Sequence, residues 1–242
     1  MFVYADNAAT TRLSETALAA MLSCLREQYG NPSSLHAAGQ AASGVLVRAR
    51  ETMARLLGCA PHELVFTSGG SESDNQALLS AAALGAAQGH RHIVSTAFEH
   101  HAVLHTLNRL CARGFDVTLL PVHEDGVVTA ADIAAALRPD TCLVSVMYAN
   151  NEIGTIQPVD EIGALCRARG VLFHTDAVQA AGHLPIDLAA QPIDLLSLSA
   201  HKFHGPMGGG LLYARRGVQL TPLIDGGAQE RGLRAGTENV PG

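Results

Sequence analysis

Short apolar runs alternating with helix-period stretches are the feature that most restricts how this chain can fold. The runs are Leu64–Thr67, His92–Thr96, Val117–Val122, Leu143–Tyr148, Val171–Thr175, Leu195–Ser199 and Gly210–Tyr213. Seven short strands separated mostly by helices make βαβ units, which pack as a largely parallel sheet with helices on both faces. Two helices come first. Leu13, Ala17, Leu18, Met21, Leu22 and Leu25 recur at helical spacing around Ser14, a good N-cap, and stop at Gly30-Asn31-Pro32. The second runs from about Ser34 to Leu57, carries Arg48, Arg50 and Glu51 on its polar side, and ends at Gly58. Open sheets of this kind bind ligands beyond the carboxyl ends of their strands, so chemistry belongs just after each strand.

Composition narrows the class. A chain of 242 residues with 48% hydrophobic and 16% charged residues can bury a sizeable core, which excludes disorder. The net charge of −6 and the lack of a basic run remove the footprint of a nucleic-acid or anionic-membrane binder. Five cysteines form no paired framework and fit a reducing compartment. Cys24, Cys111 and Cys166 fall in amphipathic helices, Cys142 opens a buried strand and Cys59 lies in a turn, so all five read as buried and inert. Met1-Phe2-Val3-Tyr4-Ala5-Asp6 has no signal-peptide pattern, and no run reaches the ~20 apolar residues of a membrane span. The expectation is a soluble, cytoplasmic protein.

At the strand ends, Thr67-Ser68-Gly69-Gly70-Ser71-Glu72-Ser73-Asp74-Asn75 reads equally as a phosphate cradle at a helix N-terminus and as an ordinary capped turn. It is neither a Walker A loop nor a dinucleotide fingerprint. His100 follows the second strand, where a histidine serves as a proton carrier or stacking surface, or simply as a polar loop residue. His101 and His105 stand four apart on a helix, but no matching acidic or cysteine ligand lies near them, so no metal site is expected. Asp176 ends the fifth strand and requires a cation opposite it, since a buried lone carboxylate would become neutral. Lys202, after the sixth strand, is a surface ammonium or a Schiff-base former. Gathered at one edge, the cradle, histidine, aspartate and lysine describe a pocket for pyridoxal 5'-phosphate (PLP), which offers a phosphate, a ring nitrogen and an aldehyde.

The segments Tyr4–Thr11, Gly30–Ser34, Thr67–Asn75, Glu99-His100, Asn150–Gly154, Asp176–Gln179, Ser199–Lys202 and Arg231–Thr237 resemble the cysteine desulfurases of the nitrogen-fixation and iron-sulfur-assembly type, within the class-V aminotransferase family of fold type I. The resemblance implies a PLP-binding large domain over 16–242, with residues 1–15 packing against a small C-terminal domain that lies beyond Gly242. It implies that Lys202 holds PLP as a Schiff base and moves protons at the substrate α-carbon, that Asp176 pairs with the ring nitrogen, and that His100 stacks on the ring and shares in proton transfer. Gln179 would bond the phenolic oxygen, Asn151 would contact cofactor and substrate, and Gly70, Ser71, Ser199 and His201 would hold the phosphate. Thr237 would reach the phosphate of a neighbouring subunit in a homodimer.

The same resemblance implies conversion of L-cysteine to L-alanine, with sulfur passing as a persulfide to an acceptor or iron-sulfur scaffold protein. The substrate-carboxylate arginine and sulfur-accepting cysteine of the family would lie in the small domain. Ser71 stands where the family has threonine, and Met207 where it has lysine. The alternatives are another class-V enzyme such as a selenocysteine lyase or aminotransferase, a non-catalytic fragment that binds PLP or dimerises, and a metal protein built on the 12 histidines.

Overall fold

A computed structural model describes Met1 and residues 3–242. Helices α1 (Glu15–Glu27) and α2 (Ala37–Leu57) precede strand β1 (Leu64–Thr67). Then follow α3 (Gly70–Ala87), β2 (His92–Thr96), α4 (His101–Cys111), β3 (Asp116–Leu120), α5 (Ala130–Ala136), β4 (Thr141–Ser145), α6 (Val159–Arg169), β5 (Leu172–Asp176), β6 (Leu195–Ser199) and β7 (Gly210–Ala214). The seven strands form one sheet in the order β1-β7-β6-β5-β4-β2-β3, in which only β7 runs antiparallel to its neighbours. The anticipated mostly parallel, helix-covered sheet is therefore present. The C-terminal ends of six strands and the start of β7 meet at one edge.

Two apolar cores flank the sheet. One gathers Leu57, Ile133, Ile162, Cys166 and Phe173 under α2, α5 and α6. The other gathers Ala77, Leu78, Ala81, Leu107 and Leu110 under α3 and α4. No described helix is long and apolar enough to cross a membrane.

Several boundaries differ from the sequence expectation. β3 stops at Leu120 because Pro121 has no N–H to continue the ladder. β4 stops at Ser145, yet Val146 and Tyr148 still donate to the carbonyls of His174 and Asp176, at 3.1 and 2.8 Å. Between them the Met147 N–H turns to the Glu99 carboxyl at 2.9 Å, which diverts the chain into the site. Arg50 is not on a polar face. It donates to Glu230, sits 4.5 Å over the Phe66 ring and is 13% exposed in its side chain, because the buried Glu230 needs a cation. The apolar stripe of α1 is not core either: Leu18, Leu22 and Leu25 are exposed and the helix buries Cys24.

Cys111 is likewise exposed and Cys59 half-buried, so the uniform reading of five buried thiols fails. Cys111 is the last residue of α4, where the helix leaves the sheet. Cys24, Cys142 and Cys166 are buried, and burial raises the thiols of Cys166, Cys142 and Cys59 to about 12, 11 and 12, which keeps them protonated.

Candidate active site

Beyond the strand ends lies a cavity of about 750 Å³, and nine of the ten residues singled out from sequence line it: Gly70, Ser71, His100, Asn151, Asp176, Gln179, Ser199, His201 and Lys202. The tenth, Thr237, is exposed and lies outside the cavity wall. Its segment is tied to the glycine turn, because Arg234 bonds Glu72 at 2.9 Å and Glu72 in turn accepts from the Ser68 N–H at 2.9 Å.

The turn between β1 and α3 supplies the anion-binding face. Gly69 adopts φ 152°, a conformation that L side chains avoid. A Cβ on Gly70 would come within 2.6 Å of the Val178 Cγ2, so only glycine lets the helix start this close to the turn that follows β5. The first N–H groups of α3 have no intrahelical partner and sit at the positive end of an 18-residue helix. The Ser71 hydroxyl and the buried Ser199 add donors beside them.

Lys202 lies in a short helical turn after β6. It is the only lysine in the chain, a signal that a residue count would have exposed at once. Its amine donates to the carbonyl oxygens of Ala8 and Ala9, the latter at 2.9 Å. Gln179 Nε2 donates to the same Ala8 carbonyl at 2.8 Å. The N-terminal segment is pinned across the site by the Thr11 N–H and hydroxyl, which donate to the His201 carbonyl at 2.8 and 2.7 Å. His201 Nδ1 meets the Thr10 hydroxyl at 3.1 Å. Burial holds the Lys202 ammonium below its usual range, while the charges of Asp176 and Asp6 oppose that fall.

Asp176 is fully interior, and burial raises its carboxyl; the Val178 N–H at 2.9 Å and the charges of His100 and Lys202 work the other way. The cation expected opposite it is thus near enough to matter electrostatically, but makes no direct ion pair, because the Ala8 and Ala9 carbonyls claim the ammonium. His100 caps α4, its Nδ1 accepting from the Ala102 N–H at 3.2 Å, and its ring is exposed to the cavity. Asn151 bonds its neighbour Glu152 at 2.7 Å.

Sequence reasoning gave no role to two acids beneath these groups. Asp74 shares a helix face with Ala77, Leu78 and Ala81, all buried, and an acid in that register was the available signal. Glu99 accepts from the Thr96 hydroxyl at 2.7 Å and from the Met147 N–H, and burial lifts its carboxyl to about 8. Asp74, His100 and Asp176 each bring a side-chain nitrogen or oxygen within 4.8 Å of the others, so the two acids and the imidazole form one cluster at the cavity floor.

A profile of the class-V aminotransferases matches residues 3–242. The chain belongs to the class-V aminotransferase family. Among curated relatives, the protein called cysteine desulfurase IscS from Methanosarcina thermophila is 51% identical over 240 residues, covering 99% of this chain and 59% of the relative. The putative cysteine desulfurase IscS 1 of Bacillus subtilis is 50% identical, covering 99% and 63%. Among solved structures, a NifS-like protein superposes with a TM-score of 0.97 at 46% identity, covering all of this chain and 67% of that one. SspA in complex with cysteine gives 0.95 at 40% identity, covering 99% and 70%. The chain therefore spans about 60% of the length of the curated relatives it matches.

Class-V aminotransferases and cysteine desulfurases use PLP. The cavity fits that group on its own terms: a glycine turn that a Cβ would fill, a carboxylate on the floor, and the chain's single lysine at the wall.

Proposed function

We propose that this chain is the cofactor-binding portion of a PLP-dependent cysteine desulfurase, which converts L-cysteine and an acceptor thiol into L-alanine and a persulfide. The observation that carries the reading is the placement of the only lysine, Lys202, in one cavity with Asp176, His100 and the Gly69-Gly70 turn.

Bound PLP supplies an aldehyde for an amine to join and a ring that accepts electrons from the substrate α-carbon. The α3 N-terminus with Gly70, Ser71, Ser199 and His201 would hold the phosphate. The Asp176 carboxylate would face the ring nitrogen, where its charge would favour the protonated, electron-withdrawing ring. Burial favours the neutral amine of Lys202, the form that acts as nucleophile and base, and the Ala8 and Ala9 carbonyls orient it. His100 would cover the ring and carry protons at its edge, Gln179 would bond the phenolic oxygen, and Asn151 would contact cofactor and substrate.

None of the five cysteines lines the cavity, so the accepting thiol reaches it from another segment or polypeptide. The relatives named as cysteine desulfurases and the neighbour bound to cysteine support the choice of substrate. Residues 1–15 form the seam to further polypeptide. The working unit is a cytoplasmic homodimer in which Thr237 reaches the partner's phosphate, and the sulfur passes to an iron-sulfur or thio-cofactor scaffold protein.

The test is reductive trapping. Incubation with PLP followed by borohydride leaves a pyridoxyl group on the Lys202 peptide, read by mass spectrometry, and Lys202→Ala loses it while melting as wild type does. With one lysine in the chain, only the N-terminal amine competes. No label on Lys202, or equal labelling of Lys202→Ala, overturns the assignment.

A further inference from the structure

Asp74 lines the cavity floor with 1% exposure, and its Oδ1 has no hydrogen-bond partner. His174 Nε2 is 3.6 Å from that oxygen, but is already engaged by the Ser197 hydroxyl at 3.1 Å, while His174 Nδ1 meets Ser145 at 2.9 Å. Burial lowers the His174 imidazole to about 3, so it is neutral and brings no charge to Asp74. The groups that face Asp74 are therefore Asp176 and Glu99, both acidic, neutral His174, and His100 at the cavity side.

Two carboxylates this close in a water-poor interior do not both ionise. Asp176 has the Val178 N–H, His100 and Lys202 on the side of its anion. Asp74 has only the Ser197 hydroxyl, against burial and the charges of Asp176 and Glu99, and its carboxyl is raised well above the usual range.

We propose that Asp74 is a positioning residue which keeps the proton of this pair and donates it in a hydrogen bond toward Asp176, so that Asp176 remains the floor's one anion and is aimed at the ligand. This rests on the PLP reading for the ligand's identity, but the state of Asp74 is a property of the chain itself. Asparagine reproduces the donor of a neutral acid and cannot become a carboxylate, whereas alanine removes the donor.

The experiment has two arms. In cofactor-free protein at neutral pH, the infrared difference between wild type and Asp74→Asn should show loss of a protonated-carboxyl C=O band; loss of a carboxylate band overturns the proposal. In the second arm, PLP binding is followed by its visible spectrum across pH. Asp74→Asn should stay within about twofold of wild type, and Asp74→Ala should bind roughly tenfold or more weakly, the scale of a lost hydrogen bond to a charged group. Its spectral transition should also move in pH. Wild-type behaviour in Asp74→Ala, or equal weakening in both variants, overturns the proposal. If Asp74→Ala does not fold, the infrared arm decides alone. Failure of wild type to bind PLP breaks the reading of the site, and the infrared outcome still decides the state of Asp74.

Discussion

The floor and the roof of the cavity are held by opposite means. The floor is side chains: Asp74, Glu99, His174 and Asp176 are all interior, and burial pushes each away from its charged form. The roof is backbone: the carbonyls of Ala8 and Ala9 accept from Gln179 and Lys202, and the N–H of Thr11 donates to the His201 carbonyl, so the Lys202 amine is the one ionisable partner in these bonds. The floor should therefore make the protein's stability depend on pH, while the roof should respond to hydrogen-bond deletion and little to pH.

The largest effect belongs to Glu99. Its folded value of about 8 lies above the unfolded 4.5, so the native state holds the extra proton between these limits. Stability is full below about 4.5 and falls as pH rises toward about 8, by roughly 5 kcal/mol at most. His174 gives the acid limb with the opposite sign, since its value falls from 6.5 to about 3 and stability is lost as pH drops through that window. Chemical denaturation at several pH values should show that Glu99→Gln, which keeps the acceptor for Thr96 and Met147, flattens the fall between 4.5 and 8. An unchanged slope would mean that the floor tolerates the charge.

Next comes the joint between floor and cradle. A Cβ on Gly210, the first residue of β7, would lie 2.4 Å from the Gly69 Cα, backbone against backbone. No rotamer relieves that contact, so Gly210→Ala must push the Gly69-Gly70 turn away. The expected cost is about 1–3 kcal/mol, with weakened binding of PLP and of inorganic phosphate alike. A melt and phosphate affinity equal to wild type would show that the turn is not seated on β7.

Legibility followed the same division. Strand-period apolar runs fixed the sheet almost residue for residue in β1, β2 and β6, because a strand buried on both faces has no other pattern. Site residues that follow strand ends, such as Asp176 and Lys202, were legible for the same reason. Arg50 was misread because periodicity assigns a charge to a surface, and its buried partner Glu230 is 180 residues away. The α1 stripe was misread because periodicity says that a face is apolar and not that anything covers it. The roof was invisible because backbone carbonyls leave no mark on sequence.

The smallest effect tests the roof at Thr11, which is buried and both donates to the His201 carbonyl and accepts from the His204 N–H at 2.7 Å. His204 holds φ 68°, an unfavourable value for a residue with a Cβ, so this pair of bonds also steadies the turn after Lys202. Thr11→Val keeps the shape but strands the His204 N–H, at about 1–2 kcal/mol. Because neither partner titrates in these bonds, the loss should be equal at pH 5 and pH 8 (roughly the two sides of the floor's transition). Amide exchange at Thr11 and Ser14, which bond the His201 and His204 carbonyls, should quicken together, while exchange in β5 stays as in wild type. A pH-dependent loss, or faster exchange spreading into β5, would show that roof and floor act as one unit.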